Sequence, residues 1–378
     1  MSFFKKTIKN ISKLIPSPIT VDFKKGGGRV VQDVAPYPKE VNWDHQVSIH
    51  KTANGIEFVR TPDLQFEQLS GYSFQANYIE IDGLRMHYLD EGPKDGPIVL
   101  FLHGQPSWSY LYRKIITPLA KKGYRCIAPD LIGMGKSDKP ISEKYHTYDQ
   151  HSKSVLNFLT QLGLTDLNLF CQDWGGLIGL RLVGENEHLF SSVIMANTDL
   201  IIYKDVENPL YIPNPIVVNP KVKNIKSALA KHVMAGMPNS FQAWINYCLT
   251  TSEFTASDII QMATTSTLSP EVLKAYDAPF PSFIYCAGPR TFPSMIAGLE
   301  TQAQQAWEGL QQFKKPFLSI IGLDDKLLGR KSIQKKMIKA IPGAKGQHHE
   351  QYEKAHHFIQ EDKAEVLAKR IHSFLKDA

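Results

Sequence analysis

The sequence predicts an α/β chain: a largely parallel sheet, opened by an antiparallel hairpin and interrupted late by a helical insert. Three observations carry this. Short, continuously apolar runs recur at IVLFLH (98–103), RCIAPD (125–130), LNLFCQ (167–172), SVIMAN (192–197) and FLSIIG (317–322), as expected of strands buried on both faces. Helical patterns separate most of them, around 109–121, 149–162 and 176–187. The alternation stops between about 200 and 313 and resumes at FLSIIG.

Taken in order, residues 1–57 form an extension unlike the rest. Phe4, Ile8, Ile11 and Ile15 recur at helical spacing with lysines between them, the pattern of a short basic amphipathic helix. Such an arm packs on its own domain or a sister subunit, stays disordered, or lies on an anionic membrane surface. Gly26-Gly27-Gly28 and a Pro-containing stretch then interrupt regular structure. Asp82-Gly83, between two alternating runs, marks the hairpin. Residues 58–199 make the first part of the core and 314–378 the second. The insert, 200–313, has helical segments near 224–235, 240–250, 255–263 and 270–276. It should cover the carboxyl ends of the strands, where α/β sheets bind ligands.

Composition narrows the function. The chain has 378 residues, 43% hydrophobic and 21% charged, as in a soluble globular protein, and no apolar run long enough to span a bilayer. Residues 1–30 hold seven basic residues against Asp22 alone, which accounts for the whole net charge of +6. The body therefore lacks the basic footprint of a nucleic-acid binder. Cys126, Cys171, Cys248 and Cys286 are scattered, without a CxxC pair or a secretory apolar segment, and read as free thiols in the cytoplasm. His348-His349 and His356-His357 lack metal-ligand spacing with carboxylates, so no metal is expected. GMGKSD lacks the third glycine of a dinucleotide fingerprint.

The chemistry lies at the strand ends. LNLFCQ runs directly into Cys171-Gln172-Asp173-Trp174-Gly175, a small-x-nucleophile-x-small elbow with an aspartate at its centre. A carboxylate is already ionised at neutral pH and attacks carbon without a base to activate it. LFLHGQP resembles a loop that supplies an oxyanion-hole amide; Pro106 has no N–H, so the donor is the Gln105 backbone, with Trp174 supplying the second. His103 in that loop reads as structural. After the insert, Asp324 and Asp325 follow a strand, and EKAHHFIQED supplies His356 and His357. Asp173, Asp325 and His357 stand in the chain order nucleophile, acid, histidine. Asp324 is the alternative acid, and Asp199 a third.

HGQPSWSYLYRK, APDLIGMGKSDKP, FCQDWGGLIGLRL, AYDAPFP, DDKLLG and HHFIQED resemble the haloalkane dehalogenases of the α/β-hydrolase superfamily, from about Phe58 to the C-terminus. The resemblance implies the α/β-hydrolase fold, with a mostly parallel sheet flanked by helices and an inserted helical cap. It implies a haloalkane substrate, water and released halide as partners, and no cofactor. It further implies that Trp174 and Trp244 (in SFQAWINY) donate indole N–H groups to the halide, and that Phe241, Phe292, Pro293, Leu327 and Leu328 line the substrate pocket. Two residues depart from the pattern: Gln105, where glutamate or asparagine is usual, and His356, where glycine is common.

Competing readings stay open at this point. An epoxide hydrolase shares the fold and nucleophile but needs cap tyrosines, for which Tyr203, Tyr211, Tyr247, Tyr276 and Tyr285 are available. A fluoroacetate-type dehalogenase needs arginines for a carboxylate, and Arg113 and Arg290 are present. A non-catalytic ligand-binding scaffold would retain the fold and dispense with the three reactive groups.

Overall fold

Asp82 and Gly83 take positive φ values of 53° and 81°, as a two-residue hairpin turn that follows strand twist requires. They join β1 (Asn77–Ile81) to β2 (Leu84–Glu91), with Ile81 opposite Leu84. The computed structural model describes residues 19–21, 47–201, 216–218 and 240–377. The hairpin forms one edge of a sheet continued by β3 (Ile98–Leu102), β4 (Arg125–Pro129), β5 (Leu167–Gln172), β6 (Phe190–Ala196), β7 (Phe317–Gly322) and β8 (Glu350–Tyr352). The spatial order is β8-β7-β6-β5-β3-β4-β2-β1, and every pair from β4 to β8 is parallel.

The apolar runs are central strands because both of their faces are covered. Leu100 and Leu102 of β3 point into one core, Val99 and Phe101 into the other. Helices α1 (Arg113–Ala120), α2 (Tyr148–Gln161) and α3 (Asp173–Glu185) follow β3, β4 and β5. The Thr147 hydroxyl caps α2 by accepting from Gln150 N at 3.1 Å. The chain leaves β3 for β4 on one side and returns to place β5 on the other, so the order reverses at β3. A crevice opens at such a switch point, between the carboxyl ends of β3 and β5.

The insert contains α4 (Ser240–Thr250), α5 (Ala256–Met262) and α6 (Pro270–Asp277), close to the expected 240–250, 255–263 and 270–276. It also contains α7 (Ala287–Thr291) and α8 (Glu300–Leu310), which the sequence reading omitted. Ala303, Ala306, Trp307 and Leu310 of α8 are buried at i, i+3, i+4 and i+7, a signal present in the sequence. The chain ends with α9 (Lys331–Ala340), α10 (Ile359–Asp362) and α11 (Ala364–Asp377).

Other differences are local. Helix α3 begins at Asp173, not 176, so the elbow residue is itself the first of the helix. Strand β8 was not anticipated, because EQY has no apolar run. Neither was a small sheet of Ile49–Lys51, Glu57–Val59 and Lys139–Pro140. The expected helices at Phe4–Ile15 and 224–235 lie outside the described residues, although Ile19–Val21 pairs antiparallel with Ile216–Val218. Among the described residues, no helix is long and apolar enough to cross a membrane.

Candidate active site

Asp173 stands where β5 turns into α3, with φ at 53°, a left-handed conformation rare for a residue with a Cβ. The turn is held by Asp173 N donating to Asn197 O at 3.2 Å and by the Thr198 hydroxyl donating to Asp173 O at 2.8 Å. It thrusts the carboxylate across the crevice to the loop after β3. There Gly104 is required by space: a Cβ at that position would lie 2.1 Å from Asp173 Oδ1. The next amide, Gln105 N, donates to the same oxygen at 2.7 Å. The Trp174 amide lies in the first turn of α3, where helix N–H groups have no intrahelical acceptor.

The other carboxylate oxygen, Asp173 Oδ2, is 3.3 Å from His357 Nε2. His357 Nδ1 bonds Asp325 Oδ2 at 2.8 Å. Asp325 is buried, and its Oδ1 accepts from Leu327 N and Leu328 N at 2.9 and 3.0 Å. Burial opposes ionisation of Asp325, but His357 outweighs it and lowers the carboxyl to about 2. Burial likewise opposes the charge on His357, and Asp325 and Asp173 overcome it, raising the imidazole to about 10. The ring is thus an imidazolium between two carboxylates as long as Asp173 is ionised.

The geometry separates the alternative acids. Asp324 bonds the Thr265 hydroxyl at 3.4 Å, and Asp199 pairs with Lys336; neither bonds His357. His103 is buried, with Nδ1 on Gly104 O and Nε2 accepting from Leu131 N, which leaves no ring nitrogen for chemistry. Two neighbours of the triad escaped the sequence reading. Asn197 Nδ2 donates to Asp325 Oδ2 at 2.9 Å, while its Oδ1 takes Gly322 N at 2.7 Å. Gln172 Nε2 lies 3.0 Å from His357 Nε2 and donates to His357 O at 3.1 Å. Both are polar residues ending otherwise apolar strand runs, which is the signal that marks them.

A cavity opens over these groups. Phe241 and Trp244, three residues apart on one face of α4, line it together with Leu327 and Leu328. Trp174 lines it from the elbow, and among the described residues neither Trp174 nor Trp244 has a hydrogen-bond partner for its indole N–H. Gln105 reaches it too, with its side chain donating to Pro289 O at 2.8 Å. Phe292 and Pro293 do not line it. Phe292 is fully buried behind Trp174, with ring centroids 5.6 Å apart, and it also packs on His151 at 4.4 Å. Ile296, further along that segment, reaches the cavity instead, as do Leu177, Ile259, Ala263 and Phe358.

Among the described residues, the groups required by the competing readings sit elsewhere. Tyr247, Tyr276 and Tyr285 are not in the cavity wall, and Tyr203 and Tyr211 lie outside the described residues. Arg113 is bound to Glu361, and Arg290 to the carbonyls of Cys248 and Leu249. No group of three or more metal-ligating side chains occurs among the described residues.

The loop bearing the histidines is tied to the insert. The Asp362 carboxylate accepts from His356 N and Ser266 N, both at 2.8 Å, and from Thr265 N at 3.0 Å. Phe358 N donates to Ala263 O at 3.0 Å beside it.

Comparison with known proteins gives a consistent result. Residues 97–364 match the family described as alpha/beta hydrolase fold. A haloalkane dehalogenase from Mycobacterium marinum is 39% identical over 329 residues, covering 84% of this chain and 100% of the relative. The solved structure of a tetrameric haloalkane dehalogenase from Paraglaciecola agarilytica NO2 superposes with a TM-score of 0.69 at 28% identity, covering 84% of this chain and 98% of that one. An epoxide hydrolase mutant from Vigna radiata shares the fold, with a TM-score of 0.62 at 20% identity and coverage of 81% and 99%.

Proposed function

Because the chain belongs to the haloalkane dehalogenase family of the α/β-hydrolases, we propose that it converts haloalkanes to alcohol, halide and a proton through an ester of Asp173. One observation carries the proposal: Asp173, His357, Trp174 and Trp244 all face a single, largely apolar cavity.

In the first step Asp173 Oδ2 attacks the carbon bearing halogen. A C–O bond forms, the carbon–halogen bond breaks, and the halide leaves with the bonding pair. Indole N–H is a donor without an acceptor lone pair, so Trp174 and Trp244 suit a departing monoanion. Alkylation cancels the Asp173 charge, one of the two that hold the imidazole protonated. The His357 pKa then falls, the ring gives up its proton to solvent as the proton product, and it becomes a base in the intermediate that needs one.

In the second step His357 Nε2 takes a proton from water, and the oxygen adds to the ester carbonyl. The developing oxyanion is Oδ1, already 2.7 Å from the Gln105 amide, with the Trp174 amide as second donor. Collapse restores the carboxylate and releases the alcohol, while Asp325 stabilises the imidazolium. In this reading residues 200–313 are the cap, 58–199 and 314–378 the core, and the enzyme works in the cytoplasm.

The test is the intact mass of His357→Ala after exposure to bromoalkanes and, separately, to epoxides. An alkyl adduct on Asp173 with bromoalkanes alone is expected. A hydroxyalkyl adduct with epoxides alone would move the assignment to epoxide hydrolysis, and no adduct from either would overturn the dehalogenase reading while leaving the fold standing.

A further inference from the structure

His356 lines the cavity beside the catalytic histidine, at a position where the family resemblance leads one to expect glycine. Its backbone is held by two bonds and its ring by a third. His356 N donates to Asp362 at 2.8 Å, His356 O accepts from Asn197 at 3.2 Å, and the following amide, His357 N, donates to the His356 ring at Nδ1, 2.8 Å away.

That last bond fixes the tautomer. An Nδ1 that accepts carries no proton, so the neutral ring bears its hydrogen on Nε2. Burial holds His356 below its ordinary pKa against the pull of Asp325, and the adjacent His357 adds to the lowering, which favours the neutral ring. No described residue accepts from Nε2, and the atom is not among the enclosed polar atoms that lack a partner. Ile259, Ala263 and Phe358, all apolar, line the same cavity. His356 thus brings to the cavity wall a ring whose Nε2–H has no acceptor among the described residues.

We propose that His356 is a specificity-determining residue whose Nε2–H selects haloalkanes carrying a neutral oxygen acceptor, an ether or ketone, on the chain away from the carbon–halogen bond. A neutral donor suits a neutral acceptor. The advantage over a hydrocarbon of equal length is the difference between a satisfied N–H and one stripped of water with nothing to replace it.

This rests on the dehalogenase reading, and the experiment separates the two. The ratio of kcat/KM for a bromoalkyl ether to that for the bromoalkane of equal length is measured in wild type and two variants. His356→Asn retains an acceptor near the Nδ1 position for His357 N and loses the distal donor. His356→Gln places a donor near the Nε2 position. Wild type should favour the ether about fivefold, the worth of one hydrogen bond. His356→Asn should bring the ratio close to one and His356→Gln should restore part of it. The ratio cancels any change common to both substrates, so a general loss of activity does not mimic the effect. A wild-type ratio near one, or a ratio unchanged in His356→Asn, overturns the role of His356 and leaves the dehalogenase reading intact. Turnover of neither bromide by wild type would remove that reading, and this inference with it.

Discussion

At the core end of the cavity Asp173, Asp325 and His357 are each held by two or more hydrogen bonds from strand ends and loops. At the cap end Phe241 and Trp244 are placed by apolar burial on α4, and Trp244 stacks on Tyr247 with centroids 5.6 Å apart. Hydrogen bonds fix direction as well as distance, whereas apolar packing fixes position and tolerates exchange among similar shapes. The core end should therefore be sensitive to changes of a single atom, and the cap end graded in its response.

The harshest way to break the contrast is Asp173→Asn, which removes the proposed nucleophile while nearly preserving shape. Halide release should fall by about 10⁴-fold or more, with the circular dichroism spectrum unchanged. Persisting turnover in a folded variant would place the nucleophile elsewhere.

Asn197→Ala comes next. It takes one donor from Asp325 and the acceptor from Gly322 N, both buried. We expect about 1–3 kcal/mol of lost stability in a denaturant melt, and ester hydrolysis slowed more than alkylation, so that the alkyl-enzyme accumulates and is seen by mass. Equal slowing of both steps would show that Asn197 does not act through the acid.

Trp244→Phe probes the cap end. Removing one N–H while retaining most of the ring should weaken halide binding by about 1–3 kcal/mol, read from halide quenching of indole fluorescence. Unchanged affinity would assign the second donor to another residue.

The smallest effect is on stability against pH. The folded-state pKa of His357 is raised to about 10, above its ordinary value of about 6.5. Its charged pairing therefore stabilises the fold fully below about 6.5, and that contribution is lost as pH rises through about 10. The difference in Tm between wild type and His357→Ala should shrink over that window. A constant difference would mean that the two carboxylates do not hold the proton.

How legible each part was in the sequence follows the same divide. The central strands and the elbow could be read directly, because continuous apolar runs have few alternatives and LNLFCQDWGG places a carboxylate at a strand end. The choice between Asp324 and Asp325 could not be made from order alone, since they are adjacent. It takes the bond from His357 Nδ1 to separate them. Gln172 and Asn197 were missed because a polar residue closing a strand reads as the start of a loop. Phe292 and Pro293 were assigned to the wrong layer. Their segment is a 3-10 turn, Phe292–Gly298, without a long helix or strand period to say which side faces inward.

The Asp362 carboxylate gathers amides from Thr265 and Ser266 in the insert and from His356 in the base-bearing loop. One carboxylate shared among three amides fastens the turn after α5 to the residue next to His357. On the proposed mechanism, a substrate bulky enough to displace α5 should displace His357 with it, so that oversize chains slow hydrolysis of the ester as well as entry.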